Sequence, residues 1–218
     1  AWSVKSGRTL TVAGPISGIY GISINGSGIG GTVVLNGANT AYSGNTTVGG
    51  GTLSLGNTNA AGSGALNITG GTLQLTDPDA LDSSASLSLA SGTTLQLRNN
   101  STSTFNTPAW PLPYSSTANQ TFTIDVDNNG SGSGNTLTLS GGINYYSANS
   151  ASMNKTLNIT SANGYSLSIP TIDSWGLNGS AYFTINPTTA NVNIGAISVN
   201  TAGNGQQCNL NFGTTASA

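Results

Sequence analysis

The feature that most constrains this chain is a short apolar pattern with a period of about 20 residues, which is within the range of structural repeat proteins. Two leucines flanking one polar residue follow a glycine-containing turn at positions 53–55, 73–75 and 95–97. Between them lie other short runs in which apolar residues alternate with Ser, Thr or Asn. Alternation with a period of two places one face of a strand in a core. A repeat of this length, with strands and glycine turns, indicates a solenoid.

The predicted strands are too short for a sandwich. Most of them carry only two inward apolar residues and are separated by Gly-Gly, Asn-Gly or Ser-Gly turns. Such narrow apolar faces suit a coil in which each strand stacks on the equivalent strand of the next turn. The sequence therefore predicts an all-β protein that is a single parallel β-solenoid. At about 20–25 residues per rung, the 218 residues give roughly nine or ten rungs.

The composition excludes several classes of function. Gly, Ser, Thr and Asn make up more than half of the chain, only 5% of residues are charged, and the net charge is −2. Four scattered Lys and Arg residues cannot form a basic groove, so no nucleic-acid partner is predicted. The absence of His excludes histidine catalysis and histidine metal ligation. No run of about 18 apolar residues occurs, so no membrane-spanning segment is predicted.

A more specific pattern lies in the first third of the chain. Residues 35–48 read Leu-Asn-Gly-Ala-Asn-Thr-Ala-Tyr-Ser-Gly-Asn-Thr-Thr-Val, and residues 51–55 read Gly-Thr-Leu-Ser-Leu. This stretch resembles the autotransporter-associated β-strand repeat of bacterial passenger domains. The resemblance is specific over residues 5–98 and weaker over 120–160 and 185–213. It implies a right-handed parallel β-helix that is exported to the bacterial surface.

Residues 99–119 interrupt the alternation. Pro108, Pro111 and Pro113 fall close together and exclude pairing as a central strand. We therefore predict a Pro/aromatic loop that bulges from the rod, with a boundary between two solenoid segments as the alternative. On this interpretation the chain contains a solenoid with autotransporter-like repeats over 1–98, the loop over 99–119, and continuing rungs over 120–218.

One segment resembles the start of a calcium loop. Residues 125–130 read Asp-Val-Asp-Asn-Asn-Gly, in which the side-chain oxygens of Asp125, Asp127 and Asn129 alternate as calcium ligands do. The twelfth position is Thr136 instead of the bidentate Glu of such loops, and the alternative is an Asn/Gly-rich turn with two solvated carboxylates. Calcium is the only cofactor that the sequence suggests.

Two further groups are candidates for function. Trp110 and Tyr114 are the predicted partner-binding residues, because aromatic side chains on loops stack on sugars or on other chains; the alternative is that they cover the flank or plug the ends of the rod. Asp77, Asp79 and Asp82 are candidates for the carboxylates of a polysaccharide-acting β-helix enzyme. The proline between the first two fits a turn better, and no enzyme activity is predicted.

The predicted function follows from the ends of the rod. Unpaired edges of the first and last rungs are templates for pairing with another chain. We therefore expect an extracellular structural protein of a bacterial surface, which forms or contributes to a fibre, stalk or matrix by self-association into a polymer or a longer solenoid. The alternative is a surface adhesin or glycan-binding module, which contacts glycans through the 107–114 loop or a Thr/Asn ladder.

Overall fold

A computed structural model describes residues 1–26, 28–81, 85–111, 119–147, 154–176, 181–201 and 208–213. These residues form β-strands joined by turns and contain no helix. Among them, accordingly, there is no helix long and apolar enough to cross a membrane. The strands are β1 Thr9–Val12, β2 Ile22–Ile24, β3 Thr32–Leu35, β4 Thr46–Val48, β5 Thr52–Leu55, β6 Leu66–Ile68, β7 Thr72–Leu75, β8 Leu87–Leu89, β9 Thr94–Arg98, β10 Ser103–Phe105, β11 Trp110–Pro111, β12 Gln120–Asp127, β13 Thr136–Leu139, β14 Ile143–Ser147, β15 Asn154–Ser161, β16 Ser166–Gly176, β17 Ala181–Pro187, β18 Asn191–Thr201 and β19 Cys208–Phe212.

The strands form three sheets whose pairs are all parallel. Sheet A has nine strands in the order β1-β3-β5-β7-β9-β12-β15-β17-β19. Sheet B has the order β2-β4-β6-β8, and sheet C has the order β10-β13-β16-β14-β11, with β18 paired to β16. Neighbours in sheets A and B are therefore one turn of the coil apart along the chain, which is the connectivity of a parallel β-solenoid. This confirms the predicted fold, and the nine strands of sheet A define about nine rungs over about 38 Å.

The core is a set of apolar columns that run along the rod. Leu53 lies in register with Leu73, and Leu73 with Leu95, as the leucine spacing predicts. The same column continues to Ile124 and Ile159 in later rungs, and all five side chains are buried. Burial of one such side chain contributes about 1.5–3 kcal/mol. Each rung is thus stabilised mainly by the rungs directly above and below it.

One corner of the coil requires glycine both for its backbone conformation and for the space between rungs. Gly31, Gly51 and Gly71 each precede a strand of sheet A and lie above one another. Gly51 and Gly71 have φ values of 65° and 77°, which L side chains rarely adopt. A Cβ atom on Gly51 would overlap the carbonyl oxygen of Gly31, and one on Gly71 would overlap that of Gly51. This corner therefore brings backbone against backbone and leaves no room for a side chain.

The rungs become longer after residue 98. Ser54 and Gln74 are partners in sheet A and lie 20 residues apart, and the partners Gln74 and Gln96 lie 22 residues apart. In the next two rungs the same column continues with Asp125 and Thr160, and the separations rise to 29 and 35 residues. The first part of the rod is therefore built from shorter turns of chain than the second.

The strands lengthen along with the rungs. β12 and β15 have eight residues each, and β16 and β18 have eleven. The sequence predicts shorter strands here because Gln120 and Lys155 occupy inward positions, where the pattern expects apolar residues. The longer strands give sheet A additional outward rows that its first rungs do not have.

Two short strands lie within residues 99–119, where the prolines predict a loop. β10 pairs with β13, and β11 pairs with β14 at the edge of sheet C. Pro111 thus lies in an edge strand, where the missing N–H costs no ladder hydrogen bond. Residues 112–118 lie outside the described part of the chain.

The glycine corner generates a stability prediction. We expect Gly51→Ala to destabilise the protein more than Gly134→Ala, because the two glycines have nearly equal φ values of 65° and 68° and only at Gly51 would the added Cβ atom overlap the backbone of a neighbouring rung. Gly134→Ala costs about 1–2 kcal/mol through its backbone conformation alone. Urea denaturation of both variants measures the difference. Equal losses would contradict the proposed backbone contact.

Candidate functional site

Two of the three clustered aspartates lie in a stacked turn. The Asp77 carboxylate accepts a hydrogen bond from the backbone N–H of Asp79 at 2.8 Å. The carbonyl oxygen of Asp79 accepts one from the N–H of Asn59, also at 2.8 Å, which joins this turn to the preceding rung. Asp82 lies outside the described residues. Within the described ranges, no three acidic or cysteine side chains come together as a metal-binding group.

Asp125 belongs to a ladder of side-chain hydrogen bonds on the outer face of sheet A. We call this row, formed by Ser54, Gln74, Gln96, Asp125 and Thr160, the polar ladder. Ser54 Oγ donates to Gln74 Oε1 at 2.9 Å, and Gln74 Nε2 donates to Gln96 Oε1 at 3.0 Å. The Asp125 carboxylate then accepts from Gln96 Nε2 at 3.4 Å and from Thr160 Oγ1 at 2.6 Å. The ladder runs across sheet A from β5 to β15.

The carboxylates of two predicted calcium ligands, Asp125 and Asp127, already accept hydrogen bonds within the protein. The Arg98 guanidinium forms an ion pair with the Asp125 carboxylate and donates to the Asp125 carbonyl oxygen at 2.9 Å. Asp127 Oδ1 accepts a hydrogen bond from Asn163 Nδ2 at 2.8 Å. The backbone N–H of Asn129 donates to a neighbouring turn. A calcium ion at Asp125 would have to displace Arg98, and calcium binding here stays a prediction.

Trp110 lies in the core of the rod. Its side chain is 2% exposed, and its ring meets Phe122 edge to face, with 5.8 Å between centroids and an angle of 83°. Its indole Nε1 is buried and makes no hydrogen bond with the described residues. The ring therefore offers no exposed face on which a partner can stack in this conformation. Tyr114 lies outside the described part of the chain.

A buried lysine is a feature that the sequence analysis missed. Lys155 is 1% exposed and lies in register between Gln120 and Phe183. Its Nζ atom is 5.0 Å from the ring centroid of Tyr145, which itself stacks on Phe183 at 5.2 Å. Burial lowers the pKa of Lys155 to about 8, because desolvation penalises the charged form. The sequence did contain a signal for this burial. Lys155 precedes Leu157 by two residues and Ile159 by four, so the alternation along β15 places all three side chains on the inward face.

The apolar columns reach solvent at both ends of the described rod. Leu10 in the edge strand β1 is 40% exposed, whereas Val33 directly beneath it is fully buried. Phe212 in the edge strand β19 is 58% exposed, whereas its register partner Ile185 is fully buried. Both strands therefore present an inward-facing apolar surface and a backbone edge that pairs with no other strand of the described residues.

The parallel pairing of strands that are one turn of the coil apart identifies the fold of the chain as a parallel β-solenoid. Comparison with known proteins adds no relative: no family model, no curated protein and no solved structure matches the sequence. The resemblance to the autotransporter-associated repeat therefore depends on the residues themselves, and the fold depends on the stacking described above.

The buried lysine predicts a specific dependence of stability on pH. Below about pH 8 both the folded and the unfolded chain hold the Lys155 proton. Between about 8 and 10.5 only the unfolded chain does, so the free energy of unfolding rises with pH across this window. We expect this rise to be absent in Lys155→Met and present in Lys5→Met, since Lys5 is exposed. Urea denaturation between about pH 7 and pH 10.5 measures it, and equal slopes in both variants would contradict the assignment.

Proposed function

We propose that this chain is a structural, non-catalytic rod of an exported bacterial surface protein, which builds a fibre, stalk or matrix by stacking rungs end to end. The observation that carries the proposal is the exposure of Leu10 and Phe212, where the apolar columns reach solvent. Another rung placed on either end would bury these side chains and pair the free backbone groups of the edge strand.

The chemistry of the two edge strands favours a further rung as the occupant, supplied by a second copy of this chain or by a longer solenoid. Soluble proteins protect edge strands with charged residues, proline or bulges. β1 reads Thr-Leu-Thr-Val and β19 reads Cys-Asn-Leu-Asn-Phe, so neither strand contains a charged residue or a proline. Each has two apolar side chains in alternate positions, Leu10 with Val12 and Leu210 with Phe212. Leu10 lies in the column of Ile124 and Ile159, whereas Phe212 lies in the column of Leu157 and Ile185. A parallel pairing of β1 with β19 would therefore join two different columns and bury the apolar side chains of one copy against those of the next.

The resemblance of residues 35–55 to the autotransporter-associated β-strand repeat supports export and a location on the bacterial surface. The scarcity of charge supports the close packing of such rods, because like charges stacked at rung spacing repel each other. The role needs no reacting group, since the polar ladder and the apolar columns serve to hold successive rungs together.

The end-to-end contact can be tested with charge substitutions. We expect the purified chain to form rods in multiples of about 38 Å that grow with concentration, as seen by negative-stain microscopy and sedimentation velocity. Leu10→Lys and Phe212→Lys place a charge in the contact and should each convert the assemblies to single rods. Ser88→Lys, on an exposed position in the middle of β8, is the matched control and should assemble normally.

Two outcomes would contradict this function. Single rods of the unmodified chain at every concentration would exclude assembly through the ends. Assemblies that persist in both Leu10→Lys and Phe212→Lys would show that the rods associate through their sides.

A further inference from the structure

A groove of about 490 Å³ crosses sheet A near the last four rungs. It is lined mainly by residues at the starts of β12, β15 and β17, together with one residue of β19. The residues on which the argument depends are Thr121, Asn154, Thr156, Tyr182, Thr184 and Asn211.

The lining is regular because the coil places it in register. Thr121 pairs with Thr156, Thr156 with Thr184, and Thr184 with Asn211, so three hydroxyls and one amide form a row at a rung spacing of about 4.8 Å. Asn154 pairs with Tyr182 in the adjacent outward row. The groove therefore presents evenly spaced donors and acceptors with an aromatic ring beside them.

The side chains that line the groove favour an uncharged ligand with hydroxyl groups. Among the described residues, no charged side chain lines the groove, so they offer an ionic ligand no counter-charge. Hydroxyl and amide groups both donate and accept hydrogen bonds, as sugar hydroxyls require. Tyr182 is 39% exposed and provides a ring with an apolar face and a polar tip, which suits the C–H face of a sugar. The groove volume of about 490 Å³ falls within the range of roughly 300–1,000 Å³ found for small-ligand sites.

Gln120 also lies beside the groove. Its side chain occupies the inward position that pairs with Lys155, and its Oε1 is buried and accepts no hydrogen bond from the described residues. Gln120 is therefore not counted among the groups that would bind a ligand in the groove.

We propose that the groove binds a neutral oligosaccharide laid across the rungs, with Tyr182 stacked on one sugar and the row of Thr121, Thr156 and Thr184 hydrogen-bonded to its hydroxyls. The proposal concerns the side of the rod and does not depend on assembly through its ends. It also places the sugar contact away from Trp110, which is buried.

The test uses the full chain and defined probes. An array of neutral oligosaccharides of three or more hexose units, with uronate-containing oligosaccharides beside them, identifies the probe that binds best, and isothermal calorimetry then measures its Kd. We expect a neutral probe to bind and Tyr182→Ala to weaken it roughly tenfold or more. Tyr20→Ala is the matched control, because Tyr20 is 85% exposed near the opposite end of the rod.

A second pair of variants tests the hydroxyl row. Thr156→Val keeps the shape of the side chain and removes its hydroxyl, and we expect it to weaken binding. Thr47→Val makes the same change on the outer face of β4 and should leave binding unchanged. Thermal melting of each variant shows that the fold is kept.

Several results would overturn the proposal. These are no binding by any neutral probe at millimolar concentration, a preference for the uronate probes, or equal affinity in Tyr182→Ala and Tyr20→Ala. Leu10→Lys separates the two proposals, since it should abolish end-to-end assembly and leave sugar binding intact.

Discussion

The whole structure depends on backbone hydrogen bonding between parallel strands that are one turn of the coil apart. This pairing sets the distance between rungs and places equivalent side chains directly above one another, so each position of the cross-section becomes a column. Apolar columns such as Leu53–Leu73–Leu95 form the core, and glycine columns such as Gly31–Gly51–Gly71 allow the backbone to turn without a clash. The small, repetitive composition follows from these stacked columns.

Stacking also governs where charge is tolerated. A charge in one rung lies about 4.8 Å from the side chains of its neighbours, so like charges in one column would repel. Asp125 is the charged member of the polar ladder, where it lies between Gln96 and Thr160 and pairs with Arg98 from the adjacent column. Lys155 has Gln120 and Phe183 as its column neighbours and lies over the ring of Tyr145. Both column neighbours of Lys155 are thus uncharged, and desolvation is the cause of its lowered pKa.

The sequence is sufficient to predict the fold because the determining signal is local and repeated. The leucine pairs and glycine turns predict strand stacking without any knowledge of distant contacts, and the register of Leu53 on Leu73 confirms it. The groove is not predictable in the same way. Thr156 and Tyr182 look like ordinary outward strand residues, and only the register between β15 and β17 brings their rows together. In the sequence, Trp110 looks like a loop residue because the nearby prolines argue against a strand, although Trp110 and Pro111 form the short edge strand β11.

The change in rung length has a consequence for how variation is absorbed. Gln96 and Asp125 remain partners in sheet A although 29 residues separate them, compared with 20 residues between Ser54 and Gln74. The strands of sheet A keep their register across this longer turn of chain. Turns of unequal length can therefore follow one another in the coil without a change in how the strands of sheet A are paired. Binding residues can therefore be added in the connecting segments on the side of the rod while the stacked strands that support them are unchanged.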